Sequence, residues 1–251
     1  MQHSIEQLNV KLFADGADID GIRSLARQPY IRGFTTNPTL MRQAGVSDYE
    51  AFAREMLSVV QGMPVSFEVF SDDFEEMYDQ ARYIAEWGSN VFVKIPITNT
   101  EGETAIPLVR ALVHEGVQVN VTAILTQRQI EQSIAAVAGG PAAYVSVFAG
   151  RVADTGRDPL PMIRSAVTLL HDARNAELIW ASPREVLNVF QADEAGCHVI
   201  TVTHELLRKL TNVGRDLQDF SLDTVRMFRR DAVAAGFSLA PRPVVARAAG
   251  F

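Results

Sequence analysis

Residues 91–122 read VFVKIPITNTEGETAIPLVRALVHEGVQVNVT, and this stretch decides the fold. Its first segment, Val91–Ile95, is an apolar run that predicts a buried β-strand. Residues 103–114 then place apolar side chains at helical spacing up to Gly116, where a helix can end. The next run, Val117–Thr122, predicts a second strand. A strand, a helix and a strand in this order form a unit whose two strands lie parallel.

The same alternation extends in both directions along the chain. Segments of helical period separate short apolar runs, which predict strands at Val10–Ala14, Gly33–Thr36, Val65–Phe70, Val91–Ile95, Val117–Thr122, Tyr144–Phe148, Leu178–Ala181 and Val199–Val202. Eight such units predict a single (β/α)₈ TIM barrel. The competing arrangement is an open doubly wound sheet, and it is disfavoured because no glycine-rich nucleotide motif follows the first strand.

An extra helix is predicted after the eighth strand, at about residues 221–235. Its cap would be Ser221, its stop Gly236, and its apolar face Leu222, Val225, Phe228 and Ala232. We therefore expect residues 1–251 to form one barrel domain, with about 215–251 as a C-terminal helix and tail. Extra terminal helices commonly pack on a neighbouring subunit, so we expect a homo-oligomer.

Composition narrows the class of protein. The chain has 251 residues, 47% of them hydrophobic, and a formal net charge of −7, which suits one large α/β domain. The sequence has no basic stripe, so a nucleic-acid partner is not expected. It has no uninterrupted apolar stretch of about 18 residues, so no membrane span is expected. A single cysteine, Cys197, favours a reducing compartment, so a cytoplasmic location is expected. The histidines lack metal-ligand spacing, so we expect no metal.

Lysine is rare in this chain. Only Lys11, Lys94 and Lys209 stand among 23 basic residues, which makes each position informative. Lys94 lies within an apolar strand, where an ammonium loses hydration and a neutral amine able to attack a carbonyl becomes accessible. The resulting iminium would let a C–C bond break. The alternative is a lysine that extends to the rim without chemistry. Lys11 suits a rim or bottom position, and Lys209 a surface helix pair with Glu205.

Other polar residues follow the strands where each apolar run stops, which is the functional face of a TIM barrel. Glu68 lies towards the end of the third run, and a lysine on a neighbouring strand would suit it for proton transfer; the alternative is a simple salt bridge. Asp15 directly follows the first run and has the same two interpretations. It has a third as a helix N-cap, which is the strongest of the three when Asp15 is considered alone.

A candidate anion site follows the sixth and seventh runs. Arg151, Ser182 and Arg184 offer guanidinium and hydroxyl donors near the part of a barrel that often binds phosphate. The alternative is that these are ordinary surface arginines, with Asp154 and Asp158 pairing with Arg151 and Arg157.

Several motifs occur in the order found in the transaldolase family, and the chain resembles that family from about Leu12 to about Thr203. The matching segments are Gly33-Phe34-Thr35-Thr36-Asn37-Pro38-Thr39, Val93-Lys94-Ile95-Pro96-Ile97-Thr98, Asn120-Val121-Thr122-Ala123, Ser146-Val147-Phe148-Ala149-Gly150-Arg151, Ala181-Ser182-Pro183-Arg184 and Ala195-Gly196-Cys197-His198-Val199-Ile200-Thr201. The resemblance implies a metal-independent enzyme of carbohydrate metabolism that needs no cofactor and acts on sugar phosphates, as in pentose phosphate reactions.

The resemblance also implies roles for individual residues. Lys94 would form a Schiff base with a ketose phosphate, and Asp15 would exchange the proton of the sugar hydroxyl as the C3–C4 bond breaks. Glu68 and Thr122 would hold a water that moves protons. Substrate hydroxyls would contact Asn37, Asn120 and Ser146, and the phosphate would contact Arg151, Ser182 and Arg184.

The family contains two activities, and residues at two pocket positions typically separate them. Transaldolases pass the three-carbon unit to an aldehyde, whereas the related fructose-6-phosphate aldolases release dihydroxyacetone. Transaldolases typically have Glu and Phe where the aldolases have Gln and Tyr, and this chain has Glu68 and Phe148. An absent phenol cannot protonate the bound enamine, so transfer is favoured. The alternatives are the aldolase and a sugar-phosphate-binding barrel without catalysis.

Two motifs depart from the family pattern. Ser182-Pro183-Arg184 replaces the usual Ser-Phe-Arg, and Ser146-Val147 replaces the usual Ser-Pro. The chain is also shorter than the well-known metabolic transaldolases. These differences bear on which sugars are used.

Overall fold

A computed structural model describes residues 5–239 of the chain. Eight parallel β-strands close into a barrel in sequence order, which confirms the predicted TIM barrel. The strands are β1 Lys11–Asp15, β2 Ile31–Thr35, β3 Val65–Glu68, β4 Val91–Pro96, β5 Val119–Ile124, β6 Ala143–Val147, β7 Ala176–Trp180 and β8 Val199–Thr203. Each of them overlaps one of the eight predicted runs.

Helices connect the strands, as the 3.6-residue periodicity predicts. Within residues 5–239 there are eleven α-helices: α1 Ile19–Leu25, α2 Pro38–Gln43, α3 Tyr49–Val60, α4 Phe74–Ala85, α5 Ile106–His114, α6 Gln127–Val137, α7 Ala149–Asp154, α8 Leu160–Leu170, α9 Leu187–Glu194, α10 His204–Lys209 and α11 Leu217–Ala234. Two loops at the carboxyl ends of strands, after β2 and after β6, each hold an additional short helix, α2 and α7.

Most strand boundaries differ from the prediction by one or two residues, and local hydrogen bonding explains two of these differences. The fifth strand begins at Val119 rather than Val117, because the Val117 amide donates to the Leu112 carbonyl and closes the turn after α5. The third strand ends at Glu68 rather than Phe70. The Phe70 amide donates to the Gln80 side chain instead of to a neighbouring strand.

The strand register brings polar side chains to one level of the barrel. Glu68 on β3 pairs with Lys94 on β4, and Lys94 pairs with Asn120 on β5. Register partners on adjacent strands project to the same face of a sheet. The three side chains therefore share one face.

Aromatic rings fill the interior of the barrel. The ring of Tyr144 lies 5.6 Å from that of Phe13 and 4.4 Å from that of Phe92, measured between centroids. These three residues belong to one buried apolar cluster with Ile179, Ala181 and Val199. Gly33 gives Phe13 its space, because a Cβ there would lie 2.5 Å from the Phe13 ring.

The two other lysines take the positions expected of them. Lys11 is the exposed first residue of β1, which places it at the amino-terminal mouth, and its Nζ lies 2.6 Å from Glu177 Oε1. Lys209 pairs with Glu205 one helical turn away on α10, at 2.8 Å. Neither lysine lies at the carboxyl ends of the strands.

The described part of the chain divides into two compact units, residues 5–211 with the barrel and residues 212–239 with α11. The extra helix confirms the prediction, but its cap is Asp216 and not Ser221, because the Asp216 carboxylate accepts from the Gln218 and Asp219 amides. The residues from 240 onward in the predicted tail lie outside the described part. No helix within residues 5–239 is long and apolar enough to span a membrane.

Candidate active site

A cavity of about 140 Å³ opens at the carboxyl ends of the strands. Its lining includes most of the residues singled out from the sequence: Asp15, Asn37, Lys94, Thr122, Ser146, Phe148, Arg151, Ser182 and Arg184, together with Thr35, Ala181, Pro183, Thr201 and Thr203. The two remaining predicted residues, Glu68 and Asn120, lie behind this lining. A wider groove of about 470 Å³ between α4 and α5 has neither lysine nor arginine in its lining.

Lys94 is buried, with 7% of its surface exposed, and it does not extend to solvent. Its Nζ lies 3.1 Å from Glu68 Oε2 and donates to the Thr36 carbonyl at 3.2 Å. The pair of strands that holds it fixes this geometry, since Glu68 and Lys94 are direct register partners. An amine and a carboxylate that are both largely removed from water stabilise each other, and each would be costly alone.

Asp15 lies at the end of β1 and accepts a hydrogen bond from Thr35 Oγ1 at 2.7 Å. Thr35 Oγ1 is in turn 2.5 Å from Thr201 Oγ1, so Thr201 supports the threonine that binds the carboxylate. Burial raises the pKa of Asp15 above its usual value, and the Lys94 charge and the Thr35 hydrogen bond only partly oppose this. The N-cap interpretation of Asp15 is wrong, because Asp18 caps α1 by accepting from the Gly21 amide.

A buried hydrogen-bonded series crosses three strands behind the cavity wall. Ser146 Oγ donates to Asn120 Oδ1 at 2.7 Å, and Asn120 Nδ2 donates to Ser66 Oγ at 2.9 Å. Asn120 has no exposed surface. Because the Ser146 proton is used on Asn120, the Ser146 oxygen presents lone pairs to the cavity and suits a hydroxyl donor.

Thr122 projects into the cavity next to an irregularity in β5. The register of β5 against β6 shifts between Val121 and Ile124, and Ala123 has a left-handed φ of 61°. Such bulges redirect side chains near active sites. Thr122 Oγ1 is buried and hydrogen-bonds to none of the described residues, so it is free to bind a ligand or a water.

The opposite wall carries the two predicted arginines. The Arg151 guanidinium lies over the Phe148 ring, 5.2 Å from its centroid. Ser182 has a left-handed φ of 62°, and a Cβ on Gly150 would lie 1.6 Å from the Ser182 carbonyl oxygen. Only glycine at position 150 lets the loop after β7 approach α7 this closely.

The predicted alternative for the acidic residues near this wall is wrong. Asp154 pairs with Arg184, not with Arg151: Arg184 Nε donates to Asp154 Oδ1 at 2.9 Å, and Nη2 donates to Asp154 Oδ2. Asp158 instead accepts from the Leu160 amide at the start of α8. Spacing along the chain does not predict the Asp154–Arg184 pair, because Arg184 follows β7 and lies 30 residues after Asp154.

Asn37 is bound in part by its own helix. Its Oδ1 accepts from the Leu40 amide at 3.0 Å and caps α2. Its amide nitrogen is the group that remains for a ligand in the cavity.

Sequence reasoning missed several residues that hold this site. Thr35, Ser66 and Thr201 hydrogen-bond to predicted site residues or to one another, and Tyr49 donates to the Glu68 carbonyl at 2.7 Å. A signal existed for one of them, since Ser66 lies two residues before Glu68 and strand alternation gives them one face. Tyr49 comes from α3, and no strand pattern points to it.

The sequence profile of the family described as transaldolase/fructose-6-phosphate aldolase matches residues 12–239. The chain belongs to this family. The match runs from the second residue of β1 through β8 and includes the whole lining of the cavity.

Relatives in the transaldolase/fructose-6-phosphate aldolase family are similar over most of their length. A protein named "Probable transaldolase" from Thermoanaerobacter sp. is 37% identical over 231 residues, which is 92% of this chain and 100% of that protein. Another protein of that name from Clostridium acetobutylicum is 39% identical over 203 residues, covering 80% and 89% of the two chains.

Solved structures of low sequence identity share the fold. A dihydrodipicolinate synthase from Rhodopseudomonas palustris superposes with a TM-score of 0.54 at 14% identity, covering 94% of this chain and 83% of that one. At this identity the likeness concerns the barrel architecture alone.

The charge state of Asp15 gives a test of the site's electrostatics in this family member. Because the pKa of Asp15 is raised from 3.8, ionising this carboxyl lowers the free energy of unfolding. The loss is absent below pH 3.8 and grows as the pH rises. We predict that Asp15→Asn melts about 2 °C or more above the unmodified protein at pH 7. The difference should shrink as the pH approaches 4, measured by thermal unfolding.

Asp72→Asn is the matched control. Hydrogen bonds from Thr100 lower the pKa of exposed Asp72, so its replacement should reduce stability at pH 7 rather than raise it. A pH-independent difference for Asp15→Asn would contradict the burial of this carboxylate.

Proposed function

We propose that the protein is a transaldolase, which transfers a dihydroxyacetone unit from a ketose phosphate to an aldose phosphate through a Schiff base on Lys94. The observation that carries the proposal is the buried Lys94 amine, 3.1 Å from Glu68, in the wall of a cavity that also holds two arginines. The family and the names of its relatives support it.

The proposed reaction begins at Lys94. Its neutral amine adds to the C2 carbonyl of the ketose, and the carbinolamine loses water to give an iminium. Glu68 and Thr122 hold the water that carries protons in these steps, and the buried, unpaired Thr122 hydroxyl supports this role. The iminium is the electron sink for the next bond cleavage, so the chemistry needs neither a metal nor an organic cofactor.

Asp15 acts in the cleavage step. It takes the proton of the C4 hydroxyl as the C3–C4 bond breaks, the aldehyde leaves, and an enamine remains on Lys94. A second aldose then accepts the enamine carbon, and Asp15 returns the proton to the new hydroxyl. Burial raises the pKa of Asp15 toward the range in which a carboxyl exchanges protons readily.

Substrate orientation is assigned to the remaining cavity residues. The Asn37 amide donates to a sugar hydroxyl, and Ser146, oriented by Asn120, accepts from the terminal hydroxyl. Arg151, Ser182 and Arg184 bind the phosphate. Three-carbon transfer between sugar phosphates is a reaction of the pentose phosphate type, and the single cysteine supports a cytoplasmic location.

The Schiff base is tested by reduction. Borohydride with fructose 6-phosphate should leave a stable adduct that peptide mass mapping places on Lys94. Lys94→Arg should lower turnover by at least about a thousandfold, because a guanidinium is always protonated and cannot condense. Lys11→Arg changes the other lysine that lies in a strand, and this variant should retain both the adduct and the turnover. Absence of an adduct with any ketose phosphate would favour a barrel that binds sugar phosphates without catalysis.

The choice of transfer over net cleavage depends on Phe148, which lines the cavity. We predict that Phe148→Tyr raises the release of free dihydroxyacetone relative to transfer, because the added phenol can protonate the enamine. Phe148→Leu removes the ring without adding a proton donor and should not raise it. Release of dihydroxyacetone by the unmodified protein at its transfer rate would instead identify a fructose-6-phosphate-type aldolase.

We propose that the protein is a homo-oligomer that uses α11. None of the helix's described side chains is buried, and Leu222, Val225 and Phe228 on one face are 46–62% exposed. Sedimentation velocity should show a particle larger than the 27.6 kDa chain. The double substitution Val225→Glu, Phe228→Glu should dissociate it, whereas Arg230→Glu, on the opposite side of the helix, should not. A monomeric unmodified protein would refute this.

A further inference from the structure

Arg184 is held at its main-chain amide, its Cγ and its guanidinium, although about half of its side chain is exposed. Its main-chain amide donates to Asn188 Oδ1 at 2.7 Å. Its Cγ passes over Gly150, 3.5 Å from the position a Cβ would take there. Its guanidinium is fixed at the far end by two hydrogen bonds to the Asp154 carboxylate.

The geometry of the pair leaves a defined part of the guanidinium free. Asp154 accepts one N–H from Nε and one from Nη2. A guanidinium has five N–H groups in one plane, so both N–H groups of Nη1 and the second of Nη2 remain. Those groups can bind an anion through two parallel hydrogen bonds, and Arg184 lines the cavity.

The short helix α7 carries Arg151 and also Asp154, the partner of Arg184. Arg151 and Asp154 lie three residues apart and therefore on one side of the helix. The hydrogen bonds from Arg184 lower the pKa of Asp154 first of all, and the Arg151 charge adds to this, so Asp154 is ionised at neutral pH. The three charges sum to +1, which still attracts an anion.

Two effects of Asp154 on a bound phosphate oppose each other. Its carboxylate repels the anion, but its side chain is 51% exposed and water screens that repulsion. Its hold on Arg184 removes the rotamer freedom that a long exposed side chain otherwise loses on binding. A guanidinium that is already positioned loses less freedom when it binds phosphate, and the sign of the change in KM on removing the carboxylate shows which of the two effects is larger.

We propose that Asp154 is a positioning residue for phosphate recognition, which orients the free N–H groups of Arg184 toward the cavity. The proposal rests on the proposed function, since it takes Arg184 as a phosphate ligand. Asp154 then determines how strongly a phosphorylated sugar is preferred over an unphosphorylated one, without contacting either.

The test compares two donors in Asp154→Ala and Asp154→Asn. With fructose 6-phosphate, KM should rise by about tenfold for the Ala variant and less for the Asn variant, which keeps one acceptor, while kcat changes little. With fructose, the unphosphorylated counterpart, as donor, KM should not change. Glu194→Gln, which removes the partner of Arg164 in another exposed ion pair at 3.0 Å, is the matched control and should change neither value.

Arg184→Ala separates failure of this proposal from failure of the proposed function. If that variant leaves the KM for fructose 6-phosphate unchanged, the phosphate site itself is misassigned. If it raises the KM but Asp154→Ala does not, or lowers it, only the positioning role is refuted. The double variant Asp154→Ala, Arg184→Ala should have a KM for fructose 6-phosphate no higher than that of Arg184→Ala alone. Borohydride trapping of dihydroxyacetone on each variant distinguishes loss of folding from loss of phosphate recognition.

Discussion

A single contact between β3 and β4, that of Lys94 with Glu68, sets the requirements for the rest of the site. Both groups are removed from most of the solvent, so neither is stable there without the other. Their distance is fixed by backbone pairing rather than by long flexible side chains, because the two residues are register partners. Closure of the barrel then brings Asp15, from β1 on the far side, within range of the same amine.

The barrel and most of its site could be predicted because they follow from short-range patterns. Short apolar runs between segments of helical period identified all eight strands, and position towards a strand's carboxyl end singled out Lys94, Glu68 and Asp15. The same reasoning reaches its limit where two elements far apart in the chain meet. The Asp154–Arg184 pair and the Tyr49 hydroxyl on the Glu68 carbonyl depend on how loops and helices dock, which local periodicity does not encode.

Capping is a second place where local chemistry was ambiguous. Asp15 and Asp18 both precede α1, and only the three-dimensional path shows that Asp18 meets the Gly21 amide and leaves Asp15 to Thr35. At Asn37 the two roles coincide, because this one residue both lines the cavity and caps α2. One amide side chain there serves the helix with its oxygen and the cavity with its nitrogen.

The aromatic packing of Phe13, Phe92 and Tyr144 has a kinetic meaning for any two-substrate reaction in this barrel. Within residues 5–239 these buried rings fill the barrel interior, and the cavity that Lys94 lines lies at the carboxyl ends of the strands. In a transfer reaction the first aldehyde must vacate the opening before the second can come in. With the three-carbon unit held on Lys94 as the proposed enamine, this order of departure and entry gives double-displacement kinetics.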